Sequence, residues 1–192
     1  VAEYGRSGTK PGGDSPFRID QSLTDDTAAV ISAVSGLALG WGADGPQSYA
    51  RVFWEIGQPD TGATLGFRAD ALKLVVNFGD NVPHDPDLNE GFEDPLEPPF
   101  DPFDTGVDPG RNNTIDCDGD DIDFQTDSLA ILTSSGIRLL YVDSSQSPEL
   151  AQYWQLWTSL TGGAFAAINS DGSTPGDLDL SELIVELLKL IE

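Results

Sequence analysis

The fold is decided by two apolar runs, ALKLVVNF at residues 71–78 and GIRLLYVD at residues 136–143. Neither run alternates apolar with polar side chains. A continuous apolar run of this length is typical of a strand that is covered on both faces, as in a parallel sheet. A third run of strand length, Ala164 to Ile168, follows the turn Gly162-Gly163. The sequence therefore predicts a mostly parallel sheet that contains these three strands.

Helical patterns fill the intervals between the strands. In the first interval, Thr24 is predicted to cap a helix that ends at Gly40. The apolar face of this helix comprises Val30, Ile31, Val34 and Leu37. A second helix is predicted to begin near Pro46, which suits the first helical position. The remaining predicted helices are Thr126–Ser135, Pro148–Leu160 and Leu180–Ile191. Alternating strands and helices predict an α/β fold, with a three-layer, Rossmann-like architecture and helices on both faces of the sheet.

Residues 80–127 interrupt this alternation. They hold sixteen acidic residues, seven prolines and one Arg. The run Glu97-Pro-Pro-Phe-Asp-Pro-Phe103 within them is incompatible with a regular element, because proline lacks the backbone N–H that helices and sheets require. We interpret residues 1–192 as a single domain with a long acidic loop inserted at 81–125.

The overall charge excludes several function classes. The 192 residues carry 9 Lys+Arg against 33 Asp+Glu, a formal net charge of −24. Such a surface offers no basic footprint for nucleic acid, and no apolar run approaches the roughly 20 residues that a membrane helix needs. The lone Cys117 excludes an internal disulfide, and the lone His84 excludes a multi-histidine metal site. Because cations screen self-repulsion, we expect an extracellular or cell-surface location.

Several short runs follow one another in an order that supports a family resemblance. They are Val1-Ala-Glu-Tyr4, Leu23-Thr-Asp-Asp-Thr27, Gly40-Trp-Gly-Ala-Asp44-Gly-Pro46-Gln47, Phe78-Gly-Asp80 with Val82-Pro-His-Asp85, and Leu160-Thr-Gly-Gly163. In this order they resemble a von Willebrand factor type A domain of the integrin-β-like prokaryotic kind. The third run is similar to that family's Gly-Gly-Gly-Asp-x-Pro-Glu loop, with Gln47 in the place of Glu.

The resemblance implies a Ca²⁺ or Mg²⁺ site at the carboxyl end of the sheet. Asp80 would be a ligand or would accept a hydrogen bond from one, and Asp44 would join from the neighbouring loop. The family's first two strands, the first of which ends in Asp-x-Ser-x-Ser, would precede Val1, so the domain is expected to be N-terminally incomplete. The strand at 72–78 would then have an open edge. We expect that edge to be completed by residues upstream of Val1, by another polypeptide or by a neighbouring copy.

A second candidate cation site lies in the acidic loop. Asp116, Asp118 and Asp120 have the alternate spacing that begins an EF-hand loop, but Asp121 occupies the position where that loop requires Gly. These residues therefore do not form an EF-hand. We expect them to bind calcium together with Asp123, and a solvated acidic loop is the alternative.

The chain does contain one Asp-x-Ser-x-Ser pattern, at Asp143-Ser-Ser145-Gln-Ser147. The Thr161-Gly-Gly163 that follows it places this strand fifth in the family order, not first. We therefore interpret the pattern as helix-entry chemistry. Adjacent strands lie ~4.8 Å apart, so Asp143 is still expected to flank Asp80 at the same edge.

Three functions stay open at this point. The first is a non-enzymatic, extracellular adhesion domain that binds a protein partner and divalent cations. The second is a structural subunit of a secreted surface layer or filament, completed by strands from another segment or copy. The third is a metal-dependent hydrolase that uses Asp80, Asp85 and His84. Loss of partner binding in chelator, assembly without a ligand, and turnover of generic esters or phosphates would distinguish them.

Overall fold

The computed structural model describes residues 17–37, 47–83 and 122–169, together with Glu182, Val185, Leu188 and Lys189. Its helices are α1 (Thr27–Ser35), α2 (Tyr49–Gly57), α3 (Pro59–Leu65), α4 (Ala130–Ser134) and α5 (Pro148–Leu160). Its strands are β1 (Lys73–Gly79), β2 (Ile137–Asp143) and β3 (Ala164–Ala167). A π-helical segment, Phe124–Leu129, leads directly into α4. None of the helices in these ranges is long and apolar enough to cross a membrane.

The three strands form one parallel sheet in the order β1-β2-β3. β1 pairs with β2 along its whole length, from Lys73 opposite Ile137 to Gly79 opposite Asp143. Helices connect the strands, as parallel pairing requires. The α/β class and the parallel sheet are therefore confirmed, and the fold is compatible with a Rossmann-like architecture.

The main core lies between one face of the sheet and α2, the π-helical segment and α5. Its centre is aromatic and comprises Tyr49, Phe53, Phe124, Tyr141, Tyr153, Trp154 and Trp157. Tyr141 and Trp154 stack with their ring centroids 3.6 Å apart, and Trp154 meets Trp157 edge-on at 4.9 Å. Such contacts stabilise a fold beyond the area they bury, so they fix α5 firmly against β2.

A smaller cluster lies on the opposite face of the sheet. It contains Leu140, Ala164 and Ala166, and Leu188 packs against it. Leu188 is helical, as are the other three described residues of the predicted C-terminal helix. Helical residues therefore contact both faces of the sheet. The rest of that predicted helix lies outside the described residues.

The boundaries of α1 differ from the prediction. Asp26, not Thr24, is the N-cap, because the Asp26 carboxylate accepts hydrogen bonds from two N–H groups of the first turn. The Thr24 hydroxyl accepts a hydrogen bond from the Asp26 N–H instead and forms a turn ahead of the helix. The helix ends at Ser35, with Gly36 as its C-cap. The predicted end at Gly40 is therefore wrong.

The apolar face of α1 is not part of the described core. None of the nine residues of α1 is buried. The exposed fractions are 39% for Val30, 60% for Ile31, 61% for Val34 and, just beyond the helix, 53% for Leu37. This face is therefore largely exposed in the part of the chain that the structure describes.

Both long strands were predicted to be buried on both faces, and this prediction is confirmed for β2 but not for β1. Leu139 and Val142 of β2 are fully buried, whereas Leu72, Val76 and Phe78 are 53%, 38% and 51% exposed. Within the described ranges β1 pairs with β2 alone, and one face of β1 is only partly covered. The expectation that further strands complete the sheet beyond β1 stays a prediction.

The start of α2 was also predicted wrongly, and the helix after it was missed. α2 begins at Tyr49, so Pro46 does not occupy its first position. α3 was not predicted at all, because Pro59-Asp-Thr-Gly62 is typical of a turn. Its signals were present, however. Pro59 lies at the first position and Asp60 in the first turn, where the positive end of the helix dipole favours a carboxylate.

Regular structure resumes earlier than predicted after the acidic segment. The helix predicted over Thr126–Ser135 begins at Phe124, with Asp123 as its N-cap. Ile122 and Phe124 are buried in the core, although the predicted loop extends to residue 125. Residues 84–121 of that loop lie outside the described residues.

Candidate functional site

The ends of β1 and β2 meet at one edge of the sheet, which we call the carboxyl edge (residues 79–83 and 143–147). Gly79 pairs with Asp143. The Ser144 N–H donates a hydrogen bond to the Gly79 carbonyl oxygen at 2.9 Å, which extends the contact by one residue. Asp80 and Ser144 are therefore the residues that immediately follow the last pair of the two strands, Gly79 and Asp143. In open α/β sheets, ligands bind outside the carboxyl ends of the strands.

Asp143 is buried at this edge, with 2% of its surface exposed. Both of its carboxylate oxygens accept hydrogen bonds from Ser145, one from the backbone N–H at 3.0 Å and one from the hydroxyl at 2.9 Å. The Ser147 hydroxyl in turn accepts a hydrogen bond from the Leu150 N–H and caps α5. These contacts are those of a turn that begins a helix. They support the helix-entry interpretation of the Asp143-x-Ser145-x-Ser147 pattern.

Two carboxylates, those of Asp80 and Asp143, flank the carboxyl edge. Asp143 is buried, whereas Asp80 is exposed. It lies one residue beyond the end of β1, next to a strand pairing that fixes its backbone. An exposed carboxylate on a rigid strand end is available to a cation or to a partner. The structure therefore places Asp80 at the edge where the sequence predicted it.

The residue ahead of α2 joins the same edge. The Gln47 N–H donates a hydrogen bond to the Val82 carbonyl oxygen at 2.9 Å, and Gln47 forms a parallel bridge with Pro83. Val82 and Pro83 are both buried. The end of the loop before α2 and the loop after β1 are therefore in contact, as the family resemblance implies. Asp44, in the first of these loops, lies outside the described residues.

Two buried tyrosines meet at Gly79, and the sequence analysis missed them. A Cβ atom at residue 79 would lie 2.2 Å from the Tyr49 Oη and 2.5 Å from the Tyr141 Oη, so glycine is required there. The Tyr141 hydroxyl donates a hydrogen bond to the Asn81 carbonyl oxygen at 3.2 Å, and the Trp154 Nε1–H donates to the same oxygen at 3.0 Å. The aromatic core thus holds the backbone immediately after Asp80.

Both tyrosine hydroxyls stay protonated at neutral pH. Burial raises the pKa of Tyr49 well above its usual value, and the negative charge of Asp80 raises it further. Burial likewise raises the pKa of Tyr141, with added contributions from Tyr49 and Asp143. A protonated phenol donates a hydrogen bond and does not act as a base. The pair therefore supports the carboxyl edge structurally. The signal in the sequence was Gly79 itself, because a glycine at a strand end often marks a close approach.

The six predicted cation ligands are only partly described. Asp44, Asp116, Asp118 and Asp120 lie outside the described residues, as do His84 and Asp85 of the hydrolase hypothesis. Asp123 is described, and its carboxylate accepts a hydrogen bond from the Thr126 N–H as a helix cap. No group of three or more His, Cys, Asp or Glu suited to a metal ion occurs in the described part of the chain.

Within the described residues, the carboxyl edge offers a cation one carboxylate that no hydrogen bond engages, that of Asp80. The Asp143 oxygens are engaged by Ser145, and the Ser144 hydroxyl donates to the Gly79 carbonyl oxygen at 3.3 Å. Any cation at this edge would depend on Asp80 among the described side chains. Mg²⁺ in particular is often bound through one or two carboxylates while it retains several waters.

The described residues thus define an α/β protein with a small parallel sheet whose carboxyl edge carries an exposed carboxylate. No protein-family model matches this chain, and no curated protein matches it.

Proposed function

We propose that this chain is a non-enzymatic, extracellular adhesion or protein-interaction domain that binds Ca²⁺ or Mg²⁺ at the carboxyl edge. The observation that carries the proposal is the pairing of Gly79 with Asp143, which sets the exposed Asp80 at the carboxyl edge, the side of a parallel sheet on which α/β folds bind ligands. A cation held by one carboxylate and water has coordination positions left for the oxygen atoms of a protein partner.

The finer architecture that we propose is a three-layer von Willebrand A-like domain with the predicted acidic insertion, which ends before Ile122 because Ile122 and Phe124 belong to the core. Two observations support it. The contact between Gln47 and Pro83 joins the two loops that the resemblance assigns to one site. Leu188, a helical residue, packs against the face of the sheet opposite α2. In this architecture the acidic insertion supplies Asp116, Asp118 and Asp120, and the N-cap residue Asp123 follows it, as a second calcium-binding segment.

The charge of the chain supports an extracellular or cell-surface location. A net charge of −24 on 192 residues destabilises a compact state through self-repulsion, and millimolar divalent cations reduce that cost. The same charge disfavours nucleic acid and anionic membranes as partners. The proposed partner is therefore a protein.

The alternative function is a structural subunit of a secreted layer or filament. One edge of β1 has no neighbouring strand within the described ranges, and an edge that is open in the full chain would favour this alternative, because unpaired N–H and C=O groups recruit a further strand. Leu72 and Phe78 at this edge are each more than half exposed. Assembly in the presence of chelator, without any added partner, would favour this alternative over cation-dependent adhesion.

Removing the Asp80 carboxylate tests the cation site. We expect Asp80→Ala to weaken Mg²⁺ or Ca²⁺ binding about tenfold or more, the scale on which even indirect metal-site changes act. The fold should survive, because Asp80 is exposed. Isothermal titration calorimetry at fixed ionic strength measures the effect. Asp70→Ala is the matched control, since Asp70 is an exposed carboxylate in the turn before β1.

The control separates a specific site from general screening. Asp80→Ala and Asp70→Ala remove the same charge, so equal losses of affinity would mean that the cation only screens the acidic surface. Unchanged affinity in Asp80→Ala would place cation binding elsewhere and would contradict the proposed role of the carboxyl edge.

A further inference from the structure

The backbone on both sides of Asp80 is held by hydrogen bonds. Before it, the Gly79 carbonyl oxygen accepts hydrogen bonds from the Ser144 N–H at 2.9 Å and from the Ser144 hydroxyl at 3.3 Å. After it, the Val82 carbonyl oxygen accepts a hydrogen bond from the Gln47 N–H at 2.9 Å. The exposed carboxylate of Asp80 therefore projects from a segment whose conformation is set by contacts with two other parts of the chain.

The residue next to Asp80 is held from the core. The Asn81 carbonyl oxygen accepts hydrogen bonds from the Trp154 Nε1–H at 3.0 Å and from the Tyr141 hydroxyl at 3.2 Å. A carbonyl oxygen has two lone pairs, so these two donors satisfy it. Both rings are fully buried and stack on one another with their centroids 3.6 Å apart. Neither donor can turn away without opening the core, so the position of Asn81 depends on both.

The neighbouring Trp157 lies in the same core without this contact. It belongs to the same helix, α5, is fully buried like Trp154, and meets Trp154 edge-on with the ring centroids 4.9 Å apart. Its Nε1–H has no hydrogen-bond partner within the described ranges. The two tryptophans therefore match in size, burial and helix, and they differ in the hydrogen bond to the carboxyl edge.

We propose that Trp154 and Tyr141 are positioning residues for the cation at the carboxyl edge, and that they act through the Asn81 carbonyl oxygen on the Asp80 carboxylate. This inference rests on the proposed function, because it concerns the same site. A ligand group on a fixed backbone loses less conformational freedom when it binds. Groups that orient a metal ligand without touching the metal typically change the affinity 10–100-fold.

The coupling must act in both directions. If the hydrogen bond from Trp154 strengthens cation binding, a bound cation stabilises that hydrogen bond by the same factor. Trp154 lies in the middle of α5, so the core would report whether the carboxyl edge is occupied. This reciprocity gives the proposal a second readout besides affinity.

Isothermal titration of the full chain with Mg²⁺ at fixed ionic strength tests the first direction. We expect Trp154→Phe to weaken binding about fivefold, the lower end of typical coupling between sites. Trp157→Phe is the matched control and should bind like the unaltered chain. Tyr141→Phe removes one hydroxyl and little volume, and it should weaken binding in the same direction as Trp154→Phe.

The two proposals fail in different ways. If Asp80→Ala loses affinity while Trp154→Phe binds as tightly as Trp157→Phe, the cation site stands and the positioning role is overturned. If Trp154→Phe does not fold, unchanged affinity in Tyr141→Phe overturns that role instead. Unchanged affinity in Asp80→Ala would overturn both proposals.

The indole N–H resonances test the second direction, with a signal that a general loss of stability does not produce. The chain has four tryptophans, and the resonances of Trp154 and Trp157 are assigned by their disappearance in the two Phe variants. We expect saturating Mg²⁺ to shift the Trp154 resonance more than the Trp157 resonance in ¹⁵N–¹H spectra, and we expect no such difference in Asp80→Ala. Equal shifts of the two resonances in the unaltered chain would overturn the proposal.

Discussion

Gly163→Ala should lower the free energy of unfolding by about 3 kcal/mol or more, the upper part of the range for overpacking a core. A Cβ atom at residue 163 would lie 1.9 Å from the carbonyl oxygen of Leu139 and 2.7 Å from its carbonyl carbon. These are backbone atoms of the buried central strand, so they cannot swing aside as a side chain would. The pairing of β2 with β3 would have to open. Urea denaturation followed by circular dichroism measures the loss.

Gly136→Ala is the matched control for this variant. Gly136 has φ +66°, but a Cβ atom there would meet nothing within 4 Å. The cost is therefore conformational alone, about 1 kcal/mol, because an L-residue in the left-handed region costs on this scale. A Gly163→Ala variant as stable as Gly136→Ala would contradict the close packing of the α5–β3 turn against Leu139.

Gly79→Ala should cost about 2 kcal/mol and should depend on Tyr49. The Tyr49 and Tyr141 hydroxyl oxygens lie 2.2 and 2.5 Å from the position of the new Cβ. Neither ring can move freely, because Tyr141 stacks on Trp154 and Tyr49 meets Trp154 edge-on at 5.5 Å. Overpacking of this kind typically costs 1–3 kcal/mol, again measured by urea denaturation.

A double-mutant cycle shows whether the clash has the stated cause. In a Tyr49→Phe background the closest oxygen is absent, so Gly79→Ala should cost less there by at least about 0.5 kcal/mol, the lower bound for residues in contact. Additive effects within error would mean that Tyr49 does not approach Gly79 and would remove the aromatic support from the carboxyl edge.

The strands could be predicted because their sequences permit little else. The run from Ile137 to Val142 is apolar at nearly every position, and such a run is stable only inside a covered sheet. The run at 71–78 is similar, and it too forms a strand. Sequence alone, however, does not say how many strands lie beside it. The exposure of Val76 and Phe78 therefore depends on partners that local pattern does not identify.

Helix boundaries were harder to predict because several residues near each start can act as a cap. Thr24 and Asp26 both accept backbone hydrogen bonds at the entry to α1, and only the carboxylate bonds to two N–H groups of the helix. A local pattern does not decide between them. The start of α3 at Pro59 was missed for a related reason, since proline and aspartate favour a turn and a helix start alike.

The position of the candidate site at the carboxyl edge could be predicted from the sequence, but the aromatic side chains that pack beneath it could not. Asp80 and Asp143 follow apolar runs, so their place at one edge could be inferred from parallel pairing. The contact of Tyr49 with Tyr141 could not, because it joins α2 to β2 across residues far apart in the sequence. Gly79 was the one local sign that large groups approach the strand there.

Luminescence of bound Tb³⁺, a stand-in for Ca²⁺, tests the central claim most directly. Aromatic side chains transfer excitation to Tb³⁺ only at short range, and Tyr49, Tyr141 and Trp154 lie against the backbone of residues 79–81. We predict sensitised Tb³⁺ emission from the unaltered chain and from Asp70→Ala, displaced by Ca²⁺, and clearly weaker emission from Asp80→Ala, in which only the second calcium-binding segment would remain. Undiminished emission from Asp80→Ala would contradict a cation site at the carboxyl edge.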